Sequence, residues 1–230
     1  MPRRSRLVIP GSPFHIIQRG HNKHACFFEE NDYHCYLFWL ERLAREAGCD
    51  VHAYVLMTNH VHLVVTPLGL DSLALLMKLL NQHYVAYINH LHNRTGTLWE
   101  GRFRSCLVHD ISYFLTCMRY VELNPVRAGM VAHPRDYCWS SYRANAEGAA
   151  DSRIVRHPIY LALGETPTDR AIAYQQLFAE GIDEKTITQL RLATNSNYVV
   201  ASEEVLADLS SRLGRQIHPG QPGRPHKPAK

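Results

Sequence analysis

The sequence predicts an α+β fold, on three observations: two apolar strand patterns are joined by only Thr58-Asn59, further strand patterns stand on either side, and two long segments of helical periodicity lie between them. With 46% apolar residues in 230, the chain is able to bury about 70–75% of its unfolded surface, so these patterns belong to a real core.

Each element has its own signal. Residues 13–19 ("PFHIIQR") read as a strand, and residues 31–47 repeat Tyr33, Tyr36, Leu37, Leu40 and Leu43 at helical spacing, with Asn31 as the expected N-cap and Gly48 as the stop. Residues 49–57 ("CDVHAYVLM") and 60–67 form the expected hairpin, in which simple register sets His62 opposite Val55 and Val64 opposite Ala53. Residues 71–93 read as a long helix opened by Asp71. Gly96 and Gly101 punctuate the loop "RTGTLWEGR", residues 103–109 form a fourth strand, and residues 110–123 form a third helix stopped by Pro125.

The resulting order, β-α-β-β-α-β followed by α, is the split βαβ or ferredoxin-like pattern. Two crossover helices cover one face of a four-stranded antiparallel sheet, and the third helix is free to cover the other. Past residue 150 the patterns become short helical candidates at 168–180, 183–194 and 202–213. We therefore divide the chain into a domain at 1–148, a helical C-terminal extension at 149–213, and a tail at 214–230. The tail is rich in Pro, Gly and cations and is expected to be disordered.

The net charge of +4 conceals a segregation: residues 1–24 and 212–230 each carry five Arg/Lys and no acid, which leaves 15 basic against 21 acidic residues between them. Basic ends on an acidic body suit a polyanion, so nucleic acid is the leading partner class, with Arg3, Arg4 and Arg6 forming an N-terminal arm. No run approaches the roughly 18 apolar residues of a membrane span. The start "MPRRSRLVIPGSPF" has an apolar run of only three residues interrupted by Pro10 and Pro13, and is read as an untargeted arm. Six cysteines without a C-x-x-C pair argue against a zinc ribbon or a disulfide framework and fit a reducing cytoplasm.

His60 and His62, in "TNHVHLVV", share one face of their strand about 7 Å apart. Two readings are open from these residues: half of a metal site, or a hydrogen-bonded pair of core histidines.

Three motifs, "YVLMTNHVHLVV", "GTLWEGRFRS" and "RYVELNPVRAGMV", resemble at matching spacing the HUH-type single-tyrosine transposases, particularly the group associated with repetitive extragenic palindromes (REPs). The likeness runs over about residues 8–145 and includes "FHIIQRG" and "DYCWSSY". It implies the ferredoxin-like fold and cleavage and joining of single-stranded DNA through a phosphotyrosine. It carries the nucleophile onto Tyr120 and the metal ligands onto His60, His62 and Asn124, where related insertion-sequence enzymes have glutamine. Tyr113, seven residues upstream of Tyr120, is not separated from it without the resemblance. Spacing i, i+4 presents Tyr120 and Asn124 on one helix face. Imidazoles with an amide oxygen suit Mg²⁺ or Mn²⁺.

For the partner, single-stranded or hairpin DNA, the candidate contacts are Arg19, Lys23, Trp99, Arg102 and Arg104, which join cations to an aromatic plane. Arg224, in a Gly-Arg-Pro triplet of the tail, suits an A·T-rich minor groove. The expected activity is a metal-dependent DNA transposase near hairpins or palindromes. The alternatives are a domesticated palindrome-binding protein that does not cut, and a small-molecule metallohydrolase. Monomer and homodimer both remain open.

Overall fold

A computed structural model describes residues 7–108, 111–200, 207, 210 and 211. Arg3, Arg4, Arg6, Arg224 and the tail lie outside the described residues, as does the helix expected at 202–213 apart from residues 207, 210 and 211. In chain order the main elements are β1 (Phe14–Arg19), α1 (Glu30–Ala47), β2 (Cys49–Met57), β3 (His60–Pro67), α2 (Ser72–Leu91), β4 (Arg104–Val108) and α3 (Ile111–Glu122). These are followed by the short α4 (Asn124–Arg127), α5 (Tyr142–Glu147) and α6 (Pro158–Leu161), then α7 (Pro167–Ala179), α8 (Glu184–Ser196) and β5 (Val199–Val200).

The fold is α+β. Strands β2, β3, β1 and β4 lie side by side in that order, each antiparallel to its neighbours. Strand β5, for which the sequence shows no comparable pattern, adds a two-residue parallel edge to β4. Residues on β3 alternate between faces. Val61, Leu63 and Val65 join Leu40, Leu43, Leu76 and Leu80 of α1 and α2 in one core. Val64 joins Ala53, Val55, Phe114, Cys117 and Val121 in a second core on the opposite face, under α3. The expected hairpin register is observed: Val55 pairs His62 and Ala53 pairs Val64. A bulge between Val51 and Ala53 places one extra residue, His52, in β2.

Local signals explain the boundaries, with two corrections. Helix α1 is capped by Glu29, not Asn31: Glu29 and Asp32 form a reciprocal capping box, and the Asp32 carboxylate also accepts from Phe28 N at 2.7 Å. Gly48 ends α1 in the left-handed conformation, φ 65°, as its position predicts. Pro125 does not end the helical path outright. After Glu122 the chain turns at Leu123 and re-enters a single helical turn in which proline takes a first-turn position, where its missing N–H costs nothing. That turn carries Arg127 back over Tyr120, with its guanidinium carbon 4.0 Å from the ring centroid.

The C-terminal helices pack against the second core. Tyr160, Tyr174, Ile187 and Leu190 are buried in it. Segments 139–140 and 154–155 also cover the outer edge of β2, where Leu56 N donates to Trp139 O at 2.9 Å and Val155 N to Val51 O at 2.8 Å. At the centre of this packing is Glu122. Its carboxylate accepts from Ser141 Oγ at 2.6 Å, Asn145 Nδ2 at 2.7 Å and Tyr174 OH at 2.9 Å, joining α3 to α5 and α7. Burial, opposed by these bonds and by Arg156, pushes the carboxyl up to about 7. Glu122→Gln preserves size but turns two hydrogens toward converging donors, so it is expected to cost about 1–3 kcal/mol in urea denaturation. A carboxyl raised in the folded state contributes fully below its ordinary value of 4.5 and loses that contribution as pH rises through about 7. The wild-type margin over Glu122→Gln should therefore shrink between pH 4.5 and 7. A margin constant across that window would refute the raised carboxyl.

Candidate active site

The α3-facing side of the sheet carries His15 on β1 and His60 and His62 on β3, with Arg19 paired across from His60. The rings of His60 and His62 stand with centroids 4.9 Å apart. Tyr120, near the end of α3, meets His62 edge to face at 5.9 Å and His15 at 5.7 Å. Tyr113, one of the two tyrosines the sequence left open, points elsewhere: its hydroxyl donates to Gln189 of α8 at 3.2 Å.

Both β3 histidines have one ring nitrogen committed. Asn59 Nδ2 donates to Lys23 O at 3.0 Å, which leaves Asn59 Oδ1 to accept from His60 Nδ1 at 2.6 Å. His62 Nδ1 is bonded to His15 Nε2 at 2.8 Å. Burial first, and then the Arg19 charge, lowers His60 to about 4. Burial and the neighbouring His60, His15, Arg127 and Arg19 put His62 well below its ordinary range. The imidazoles are therefore neutral at pH 7, and the Nε2 positions are the ones left to offer a lone pair.

Asn124 lies one helical turn beyond Tyr120. Its Nδ2 donates to the carbonyls of Tyr120 and Val121, both at 3.1 Å, so the amide oxygen is the atom left for a ligand. Among the described residues no group of three or more His, Cys, Asp or Glu is arranged to hold a metal. A divalent ion here would be held by two imidazoles and an amide oxygen. The Nε2 positions and the Oδ1, which have no partner among the described residues, fit that donor set.

Arg127 is a functional candidate that the sequence reading missed. Its Nη2 donates to Tyr120 O at 2.9 Å, while its buried Nη1 has no partner among the described residues. A half-buried guanidinium with an unspent donor beside a phenol is disposed to take an anion. Its signal in the sequence was its position seven residues, about two helical turns, after Tyr120 in "YVELNPVR".

Comparison with known proteins gives the family and the fold. The family model for IS200-like transposases matches residues 10–124. The chain belongs to the IS200-like transposase family. No curated protein matches it. Among solved structures, a REP-associated tyrosine transposase bound to a REP hairpin superposes with a TM-score of 0.56 at 18% identity. That alignment covers 68% of this chain and 93% of the other, and at this identity the likeness is one of fold. A protein from Deinococcus radiodurans described as a transposase aligns at 20% identity over 53% of this chain and 96% of its own, with a TM-score of 0.37.

The transposase's expected DNA contacts separate into groups. Arg19 is half-buried beside His60, and Lys23 and Arg102 are exposed. The loop before Arg102 is tied to the same end of β1, with Glu100 N donating to Arg19 O at 2.9 Å and Gln18 Nε2 to Gly101 O at 3.5 Å. These three cations therefore border the His60 end of the sheet. Arg104 lies exposed on α8's side, where its Nη1 donates to Asn195 Oδ1 at 2.7 Å. Trp99 departs from the expectation of a stacking platform: it is 4% exposed in the α1/α2 core, with Tyr84 at 6.1 Å. Its neighbour Leu98 is buried too, and the Trp99 backbone bridges Gly20, which draws the ring inward. Trp99→Phe should lower stability by about 1–3 kcal/mol through lost core volume while leaving affinity for single-stranded DNA unchanged by fluorescence anisotropy. A tenfold loss of affinity at full stability would return the ring to the DNA surface.

Proposed function

We propose that this transposase cuts and rejoins single-stranded DNA beside hairpins or palindromic repeats, with Tyr120 as the nucleophile and a 5′-phosphotyrosine as the stored intermediate. The carrying observation is that the Tyr120 ring is enclosed by His62, His15 and the cation of Arg127. The family membership supports DNA processing, and the solved relative's REP hairpin supports the choice of substrate.

His60, His62 and the amide oxygen of Asn124 would hold a divalent ion, Mg²⁺ or Mn²⁺. When bound, that ion supplies Lewis-acid polarisation of the scissile phosphate. The rest of the chemistry falls to the chain. Tyr120 Oη attacks phosphorus as the phenol proton is lost; the Oη–P bond forms, the P–O3′ bond breaks, and the departing 3′ oxygen takes up a proton. The phosphodiester energy is kept in the phosphotyrosine, so a later 3′-OH reverses the step without ATP. Arg127 offers its unpaired Nη1 to the charge that develops on phosphate oxygens or phenolate. Arg19, Lys23 and Arg102 lead the strand's phosphates to the His60 end. The basic arm Arg3, Arg4 and Arg6 and the tail Arg224 add charge for the same polyanion.

Wild type mixed with labelled hairpin-bearing single-stranded DNA should form a denaturation-resistant adduct on a gel, and chelator should abolish it. Tyr120→Phe should bind DNA yet form none, whereas Tyr113→Phe should behave as wild type. Adduct retained in Tyr120→Phe and lost in Tyr113→Phe would move the nucleophile. DNA binding without adduct in wild type would favour a non-cleaving palindrome-binding protein.

A distinct expectation attaches to Arg127. Arg127→Gln keeps a donor to Tyr120 O but removes the charge, and should slow single-turnover cleavage about 100-fold with DNA affinity changed little. Unchanged cleavage would remove it from the reaction.

A further inference from the structure

His62 is bonded to a second buried histidine that no motif singles out, and that histidine is bonded in turn to the C-terminal extension. His15 Nε2 lies 2.8 Å from His62 Nδ1, and His15 Nδ1 lies 2.9 Å from Thr194 Oγ1. His15, His62 and Thr194 are 1%, 2% and 3% exposed, which leaves little room for water to substitute for these partners. Thr194 belongs to α8, far past the family match at 10–124, and its neighbours Asn195 and Asn197 anchor α8 to β4 through Arg104 Nη1 and Ser105 N.

The direction of the hydrogens follows from the end of the chain of bonds. Thr194 Oγ1 donates its one hydrogen to Leu190 O at 2.7 Å, the back-bond of a helical threonine. Toward His15 it must then accept, so His15 carries its hydrogen on Nδ1 and has only a lone pair on Nε2. His62 Nδ1 must in turn be the donor to that lone pair, and His62 Nε2 is bare. Reversing any one bond would reverse the whole series and place a hydrogen on His62 Nε2, where it would block a ligand. Cys106 Sγ, 3.1 Å from Thr194 Oγ1, is positioned to add a second donor to the same oxygen and so reinforce this direction.

We propose that Thr194 is a positioning residue which, through His15, holds His62 in the tautomer that offers Nε2 to a divalent metal. The proposal rests on reading His60 and His62 as metal ligands, and it gives the extension a part in the site. Partners of this kind behind a ligating histidine are worth about 10–100-fold in metal affinity.

The test uses the full chain without DNA and Mn²⁺ as the probe. Nitrogen-15 shifts of the histidine rings in wild type should place the hydrogen on Nδ1 of both His15 and His62; a hydrogen on His62 Nε2 would overturn the proposal before any variant is made. Thr194→Val keeps the shape and removes the acceptor, and should weaken Mn²⁺ binding, followed by electron paramagnetic resonance, about 10–100-fold while mixing the His62 tautomers. Thr194→Ser should retain binding within about threefold. Wild-type affinity in Thr194→Val, or equal loss in Val and Ser, would refute the relay and leave the metal reading intact. Wild type that binds no Mn²⁺ would sink the metal reading and this proposal with it.

Discussion

The alternation of β3 is the constraint on which the rest of the structure depends. This strand lies between β2 and β1, with helices on both faces, so its side chains alternate between two covered sides. Val61, Leu63 and Val65 seal the α1/α2 side, and only for that reason are His60 and His62 free to line the α3 side. A slip of one residue would drive both imidazoles among leucines and turn three aliphatic side chains toward Tyr120 on the α3 side. Pairing on both flanks, His62 with Val55 and with Ile17, prevents it.

Placing polar groups in a dry site carries a cost that the structure offsets bond by bond. His60 leans on Asn59, and His62 on His15 and then Thr194, while the desolvation that threatens these groups also keeps them neutral and able to donate lone pairs. Arg127 is the exception. It lies half-buried over Tyr120 with one nitrogen unpartnered among the described residues, the donor proposed above to meet the developing charge. Glu122, two residues from Tyr120 on the same helix, bonds away from the histidines to α5 and α7, so α3 is held from behind while presenting its tyrosine in front.

Much of the fold was legible because its signals are local. The hairpin needed only two alternating runs and a two-residue link, and Gly48 marked a helix end through its tolerance of a left-handed turn. Two of the errors were local competitions. Glu29 with Asp32 out-capped Asn31 by closing a reciprocal box, and Pro125 began a new turn instead of ending the helical path. Trp99 read as a surface aromatic because its neighbours are charged, yet its pairing with Gly20 and its contact with Tyr84 come from parts of the chain distant in sequence.

The site divides in the same way. By itself the sequence determined that two histidines share a strand face and that Tyr120 and Asn124 share a helix face, since both follow from the period of one element. Only the tertiary structure decided that these faces meet, that Tyr120 and not Tyr113 stands over His62, and that Arg127, Asn59, His15 and Thr194 belong with them. The physical reason is separation along the chain: His15 and Thr194 are 179 residues apart, and no periodicity links residues whose only relation is a hydrogen bond made when β1 and α8 pack together.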